Sequence, residues 1–265
     1  MTQSLAPSRP LTPLLALRDY RGVARRNLIR TVRTPQLVLY TVQPVMMLLL
    51  FRYVFGGAIK APGGDYVSFV VPAIFLITVL VGAMTSAIGI AEDLKSGMVD
   101  RFRSLPMARS AVLAGRSLTD LARSVISLAV MVGLGVAVGF RFHSDAGRIM
   151  LGLLLILAFG FAFSWMNAAI GISAKDPESA QNAATGPAFL LLFASNAIVP
   201  ASSLPGWLQP FARNQPLGVT TSAVRELFEG GPAMGDFWIS LAWSAGIAVV
   251  FALIAYSLYQ RSAAQ

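Results

Sequence analysis

The sequence predicts an all-α polytopic membrane protein with six transmembrane helices, an N-terminal interfacial amphipathic helix and an outer re-entrant helical hairpin. Three observations carry that prediction. Of 265 residues, 55% are hydrophobic and only 12% are charged, against roughly 25% charge in ordinary soluble domains. The charges are also segregated, leaving Thr34–Phe51, Tyr66–Ala91, Ser124–Phe140, Ile149–Ala174, Ser179–Ala212 and Phe237–Gln260 free of Asp, Glu, Lys and Arg. Finally, lysine and arginine crowd onto alternate connections between these stretches. A helix needs about 20 apolar residues to cross roughly 30 Å of hydrocarbon, and it satisfies its backbone internally, as the bilayer requires.

The elements follow in chain order. Over 14–33 arginines alternate with apolar residues, and at helical spacing Leu17, Tyr20, Ala24, Leu28 and Thr31 share one face. That pattern predicts a basic amphipathic helix lying on the inner leaflet, either as a plain anchor or as part of a docking surface. The first span is expected at 35–55 and the second at 66–91. The segment 92–110 carries both signs of charge, is punctuated by Gly97 and Pro106, and sets Asp100, Arg101 and Arg103 beside Phe102 and Leu105, a composition suited to docking.

The third span is expected at 111–140, its end near Arg116, Asp120 and Arg123 emerging from the membrane. The fourth is expected at 148–173 and the fifth at 180–199. The fifth stops near Pro200 because Pro200, Pro205, Gly206 and Pro210 break helical continuity. Residues 200–233 then predict short helices dipping back into the outer leaflet, with Trp207 and Phe211 in the interfacial aromatic belt. Simple interfacial anchoring also accounts for Trp207 alone. The sixth span is expected at 236–259. Fourteen lysines and arginines fall on the terminal side of this topology and five on the other, which places both termini in the cytoplasm. No cleavable signal peptide is expected.

The same residues exclude several function classes. There is no cysteine, and His143 is the single histidine, so neither a zinc cluster nor a cysteine or histidine triad can be assembled. The only lysines, Lys60, Lys95 and Lys175, do not follow glycine, so the phosphate loop of ATP-binding proteins is missing. No enzyme is expected, and no metal or cofactor bound by this chain. The net charge of +9 is the signature of cytoplasmic span flanks rather than of nucleic-acid binding. Deep within the spans only neutral polar residues are expected, among them Ser86, Ser164, Asn167, Thr185 and Ser195. Such residues either bond neighbouring helices or line a mildly polar wall for an amphipathic molecule. Gly135 and Gly139 form a Gly-x-x-x-Gly that permits close helix packing, within the chain or between two copies.

Two motifs extend this reading. One runs from Glu92-Asp93-Leu94-Lys95-Ser96-Gly97 through Asp100-Arg101-Phe102-Arg103-Ser104-Leu105-Pro106 to Gly115-Arg116. The other runs from Val199-Pro200 through Leu204-Pro205-Gly206-Trp207-Leu208-Gln209-Pro210-Phe211 to Asn214-Gln215-Pro216-Leu217. With six spans in this order, the chain resembles, over essentially its whole length, the permease subunits of type-two ABC exporters, particularly the daunorubicin-resistance-like branch. The resemblance implies that Glu92, Asp93, Asp100, Arg101, Phe102, Arg103, Leu105 and Pro106 couple to a separate ATPase, with Arg25 and Arg26 of the amphipathic helix beside them. It implies that Pro205, Gly206, Trp207 and Phe211 belong to the outer hairpin. It also implies a cavity between two permeases, with Gln43, Met46, Met47, Thr78, Thr85 and Asn196 near the substrate path.

The implied partners are a cytoplasmic ABC ATPase dimer that binds ATP and Mg, a second permease chain (identical or related), membrane lipid and a hydrophobic or amphipathic substrate. The implied location is the cytoplasmic membrane of a bacterium. The function expected on these grounds is ATP-driven export of an amphipathic drug, antibiotic or lipid-like compound. The alternative is a non-transporting membrane scaffold or assembly factor that recruits a cytoplasmic partner.

Overall fold

The computed structural model describes residues 35–56, 66–95 and 109–262. Compact packing divides the chain between Val38 and Leu39, and all contacts given below belong to the second unit. The amphipathic segment 14–33 and most of 92–110 lie outside the described residues. The described residues are helical: α1 (Pro35–Leu50), continued by a π-helical turn over Phe51–Phe55, α2 (Tyr66–Lys95), α3 (Arg109–Ala137), α4 (Ala146–Ser173) and α5 (Pro177–Phe193). A 3₁₀ turn over Ala201–Ser203 then leads to α6 (Gln209–Asn214), α7 (Pro216–Glu229) and α8 (Met234–Ser262).

Local chemistry sets these limits. Gly139, at φ +107°, ends α3, a conformation open to glycine at no steric cost. Asp145 caps α4 by accepting the Arg148 amide at 3.1 Å. Asp176 and Ser179 close a reciprocal capping box on α5, with Pro177 in its first turn, where its missing N–H is no loss. Gln215 caps α7, which stops at Gly230 with φ +86°.

Four described helical stretches are long and apolar enough to cross a membrane: Tyr66–Lys95, Thr119–Ala137, Ala146–Ser173 and Met234–Leu258. Helix α1 and its π-helical turn together run over Pro35–Phe55, and the fifth expected span is shorter as observed. Helix α5 begins at Pro177, ahead of the expected 180, and ends at Phe193, short of the expected 199. Glu178, Ser179, Gln181, Asn182 and Thr185 make its first half polar. The chain from Ala194 to Val199 is irregular, with the Asn196 and Ala197 carbonyls taken by Arg225 of α7 and the Ile198 carbonyl by Tyr66 of α2.

Helix α2 is the axle of the bundle. It packs against α3, α4, α5 and α7, and Val70, Val71 and Ala73–Leu76 are almost wholly buried. Gly135 on α3 faces Phe75 while Asp120 further back on α3 meets Ser86, so α3 runs antiparallel to α2. Gly160 and Gly171 on α4 face Val79 and Ala87 in the same order, so α4 runs parallel to it. A Cβ on Gly160 would overlap the Val79 side chain, and one on Gly171 the Ala87 carbonyl; the two backbones touch because these positions have no side chain. Helix α8 closes the bundle against α4 and α7.

Four phenylalanines fasten one end. Phe75, Phe140, Phe142 and Phe228 meet edge to face with centroids 4.9 to 6.4 Å apart, the arrangement aromatic quadrupoles favour. They join α2, the α3–α4 connection and α7. At the opposite end Ala87 and Ala91 of α2 pack on Ala180 and Ala184 of α5. The Gly135-x-x-x-Gly139 spacing resolves into two separate jobs, since Gly135 packs against α2 and Gly139 terminates its helix.

Candidate functional site

Two polar constellations stand inside this apolar bundle. The first joins α2 to α3. Residues three apart share a helix face, so Asp120 and Arg123 both project from α3 toward adjacent Thr85 and Ser86 on α2. Ser86 Oγ donates to Asp120 Oδ2 at 2.6 Å, and Arg123 Nη1 stands 3.4 Å from Asp120 Oδ1. The same Arg123 nitrogen donates to Thr85 Oγ1 at 2.6 Å, and Thr85 in turn donates to the Gly82 carbonyl at 2.7 Å. Asp120 is 6% exposed. Both charges stand at the start of the apolar stretch Thr119–Ala137, the end of α3 at which the third span is expected to emerge. An acid and a base on one face neutralise each other, and α2 supplies hydroxyls for what remains.

The second constellation lies at the phenylalanine end. Arg225 of α7 donates through Nε to the Phe69 carbonyl at 2.7 Å and through Nη1 to the Asn196 carbonyl at 2.9 Å. Its Nη2 donates to the Ala197 carbonyl. The guanidinium carbon sits 3.5 Å above the Phe69 ring centroid, a cation–π contact. Burial draws its pKa down to about 9, with Glu229 acting the other way, so it stays charged at neutral pH. Tyr66 donates to the Ile198 carbonyl at 3.2 Å, and Asn196 Nδ2 to Ser222 Oγ at 3.0 Å. Gln215 Nε2 reaches the Leu191 carbonyl at 3.0 Å. The irregular exit of α5 is thereby held by side chains of α2 and α7, as backbone outside regular structure requires. Nearby, Glu226 has a raised pKa, from burial first and then from Asp236, with Arg148 opposing.

The sequence-derived site residues distribute as follows. Glu92 is exposed and Asp93 half-buried in the last turn of α2. Arg25, Arg26, Asp100, Arg101, Phe102, Arg103, Leu105 and Pro106 lie outside the described residues. The six substrate-path residues are not brought together within one chain. Gln43 and Met46 are exposed and Met47 is partly buried on α1. Thr78 is buried and bonded to the Ile74 carbonyl, Thr85 belongs to the α2–α3 constellation, and Asn196 belongs to the Arg225 cradle. Pro205, Gly206, Trp207 and Phe211 are exposed around the turn into α6, Trp207 by 79%. Among the described residues no group of three or more His, Asp or Glu gathers as metal ligands.

Sequence reasoning passed over Arg225 and the Asp120–Arg123 pairing. The available signals were the i,i+3 spacing of Asp120 and Arg123 and the lone arginine on the apolar side of α7.

Comparison with known proteins supplies a context for this arrangement. The family profile described as "ABC-2 type transporter" matches residues 18–228. The daunorubicin resistance ABC transporter permease protein DrrB1 of Streptomyces coeruleorubidus is 34% identical, across 85% of this chain and 80% of that one. A protein of Mycobacterium tuberculosis named "Probable doxorubicin resistance ABC transporter permease protein DrrC" is 28% identical, across 83% of this chain and 80% of its own length.

Proposed function

This chain belongs to the ABC-2 type transporter family, and from that membership we propose that it is the membrane permease subunit of an ATP-driven exporter for an amphipathic drug, antibiotic or lipid-like compound. The observation that carries the proposal is the match over residues 18–228, which takes in the amphipathic segment, the charged 92–110 connection and the α5–α7 region together. The multi-pass character is plain from the four long apolar helices. Crossings by α1 and α5 bring the proposed total to six, with both termini in the cytoplasm of a bacterium and residues 200–233 dipping into the outer leaflet. Support for that orientation comes from the excess of lysine and arginine on one side.

ATP and Mg belong to a partner ATPase dimer, because this chain has no phosphate loop of its own. Closure of the ATPases pushes on the 14–33 helix and on Glu92, Asp93 and Asp100–Pro106, and the spans rock to turn a cavity between two permeases outward. Exposure of Gln43 and Met46 on α1 supports their place on that cavity wall. Thr78, Thr85 and Asn196, buried within one chain, reach it only if the bundle opens.

The test begins with the tagged chain purified in mild detergent from its native host, with stoichiometric partners identified by mass spectrometry. Recovery of a phosphate-loop ATPase, and daunorubicin-stimulated ATP hydrolysis by the complex in liposomes, is the expected result. Charge reversal at Arg101→Glu with Arg103→Glu is expected to abolish transport while leaving membrane insertion intact. A folded preparation with no ATPase partner would overturn the exporter reading in favour of a scaffold.

A further inference from the structure

Helix α2 ends at Lys95 and α3 begins at Arg109, so the charged connection 96–108 joins these two helix ends in the chain. At 1.5 Å per residue, Ser86 lies about 14 Å from the end of α2, and Asp120 about 17 Å from the start of α3. The polar constellation therefore ties the two arms at matching heights, one arm on each side of the connection. Toward the phenylalanine end the α2–α3 contact is apolar, with Gly135 against Phe75 and Val71, and Leu128 and Met131 in the core. Apolar ridges resist separation, but lipid tails are as apolar as the helices themselves, so such contacts give little resistance to small sliding or rotation. A carboxylate held on both oxygens, and a guanidinium fixed to a hydroxyl that is itself bonded to the α2 backbone, do resist it. A buried carboxylate paired with an arginine on its own helix and hydrogen-bonded across to the next fixes the register of the two helices, because removing any one partner leaves a buried charge uncompensated.

We propose that Asp120 and Arg123, through Ser86 and Thr85, are positioning residues that lock α2 and α3 into a single rigid lever, so that force delivered at the connection between them rotates both helices together. This rests on the exporter reading given above. The residues touch neither substrate nor nucleotide; they hold register.

The measurement is transport per ATP hydrolysed, in proteoliposomes holding equal amounts of assembled permease–ATPase complex, with daunorubicin as the transported probe. Asp120→Leu with Arg123→Leu removes both charges at once, an exchange that leaves no unpaired ion and typically preserves folding. The double variant is expected to insert, assemble and hydrolyse ATP, while transport per ATP falls by roughly 5- to 150-fold, the span of a typical coupling free energy. Wild-type transport per ATP in that variant would overturn the proposal.

Because the chain contains no cysteine, Ser86→Cys with Asp120→Cys offers a second, independent reading. Joined by a short bis-methanethiosulfonate, which forms a disulfide with each cysteine and releases methanesulfinate, this pair is expected to transport at the wild-type ratio, and to lose that ratio when a reducing agent cleaves the link. The reverse result, transport blocked by the link and restored by cleavage, would mean that α2 and α3 slide past each other and would overturn the lever. Failure of the wild-type complex to transport any probe would instead sink the exporter reading, and the lever with it.

Discussion

Arg225 carries its charge into the protein without an acid in contact, and the carbonyls of Phe69, Asn196 and Ala197 with the Phe69 ring do the compensating. Removing the side chain leaves the Asn196 and Ala197 carbonyls, which lie outside any helix, in need of donors, at about 1–3 kcal/mol for each one buried without a partner. Arg225→Ala is therefore expected to lower the melting temperature of the detergent-solubilised protein by several degrees. Arg225→Lys should recover little of it, because an ammonium lacks the planar fork that spans three acceptors. Equal melting temperatures for wild type and Arg225→Ala would show the cradle to be ornamental.

Asp176 makes a pH-dependent case. Hydrogen bonds from Ser179, backbone first and side chain second, hold its pKa below the usual carboxylate value. A depressed folded-state pKa means that the cap contributes in full above the unfolded pKa, near 3.9, and is lost as pH falls through the lower folded value. Stability should thus be flat in this respect at neutral pH and should drop in acid. Asp176→Asn should flatten the difference when melting is followed from pH 6 down to pH 3.

At the scale of elements, the crossing of α2 and α4 has the least tolerance. Gly160→Leu must displace Val79 and Gly171→Leu must displace the α2 backbone at Ala87, and overpacking of this kind costs typically 1–3 kcal/mol or more. Gly186→Leu, where nothing stands within contact distance, serves as the tolerant control, and size-exclusion profiles of the three variants decide the matter.

Much of the element layout was legible beforehand, because a charge-free stretch of span length has few alternatives in a chain of this composition. The start of α5 was also readable in principle from Asp176-Pro177-Glu178-Ser179, a helix-start signature. Its end was not, since Ala194, Ile198 and Val199 continue an apolar run, and only the carbonyl contacts from Arg225 show that the helix has already stopped. The glycine pair on α3 was ambiguous for a related reason. Identical spacing serves packing at Gly135 and termination at Gly139, and tertiary contact separates the two. The tie from Asp120 and Arg123 to α2 was not readable, because sequence proximity reveals the partner on α3 but not Ser86 and Thr85 on the neighbouring helix.

At the scale of the molecule, the α4–α5 loop and the turn into α6 lie beyond opposite ends of α5. A single cysteine introduced at Gly206 is expected to react with a membrane-impermeant maleimide in intact cells, whereas one at Lys175 should react only after permeabilisation. The opposite pattern would invert the topology and with it the assignment of the 92–110 segment to the ATPase side. These positions suit the measurement because both are exposed and the natural chain contributes no background thiol. The axle itself has a consequence for how such a protein can diversify. Helix α2 is packed by neighbours along most of its length, so a change there disturbs the whole scaffold before it can alter a ligand contact. The open faces of α1 and α5, with Met46, Phe189, Leu190 and Phe193 at their surface, are free of that burden. A library of random substitutions selected for resistance to new compounds should accordingly recover adaptive changes on α1 and α5, and losses of expression on α2.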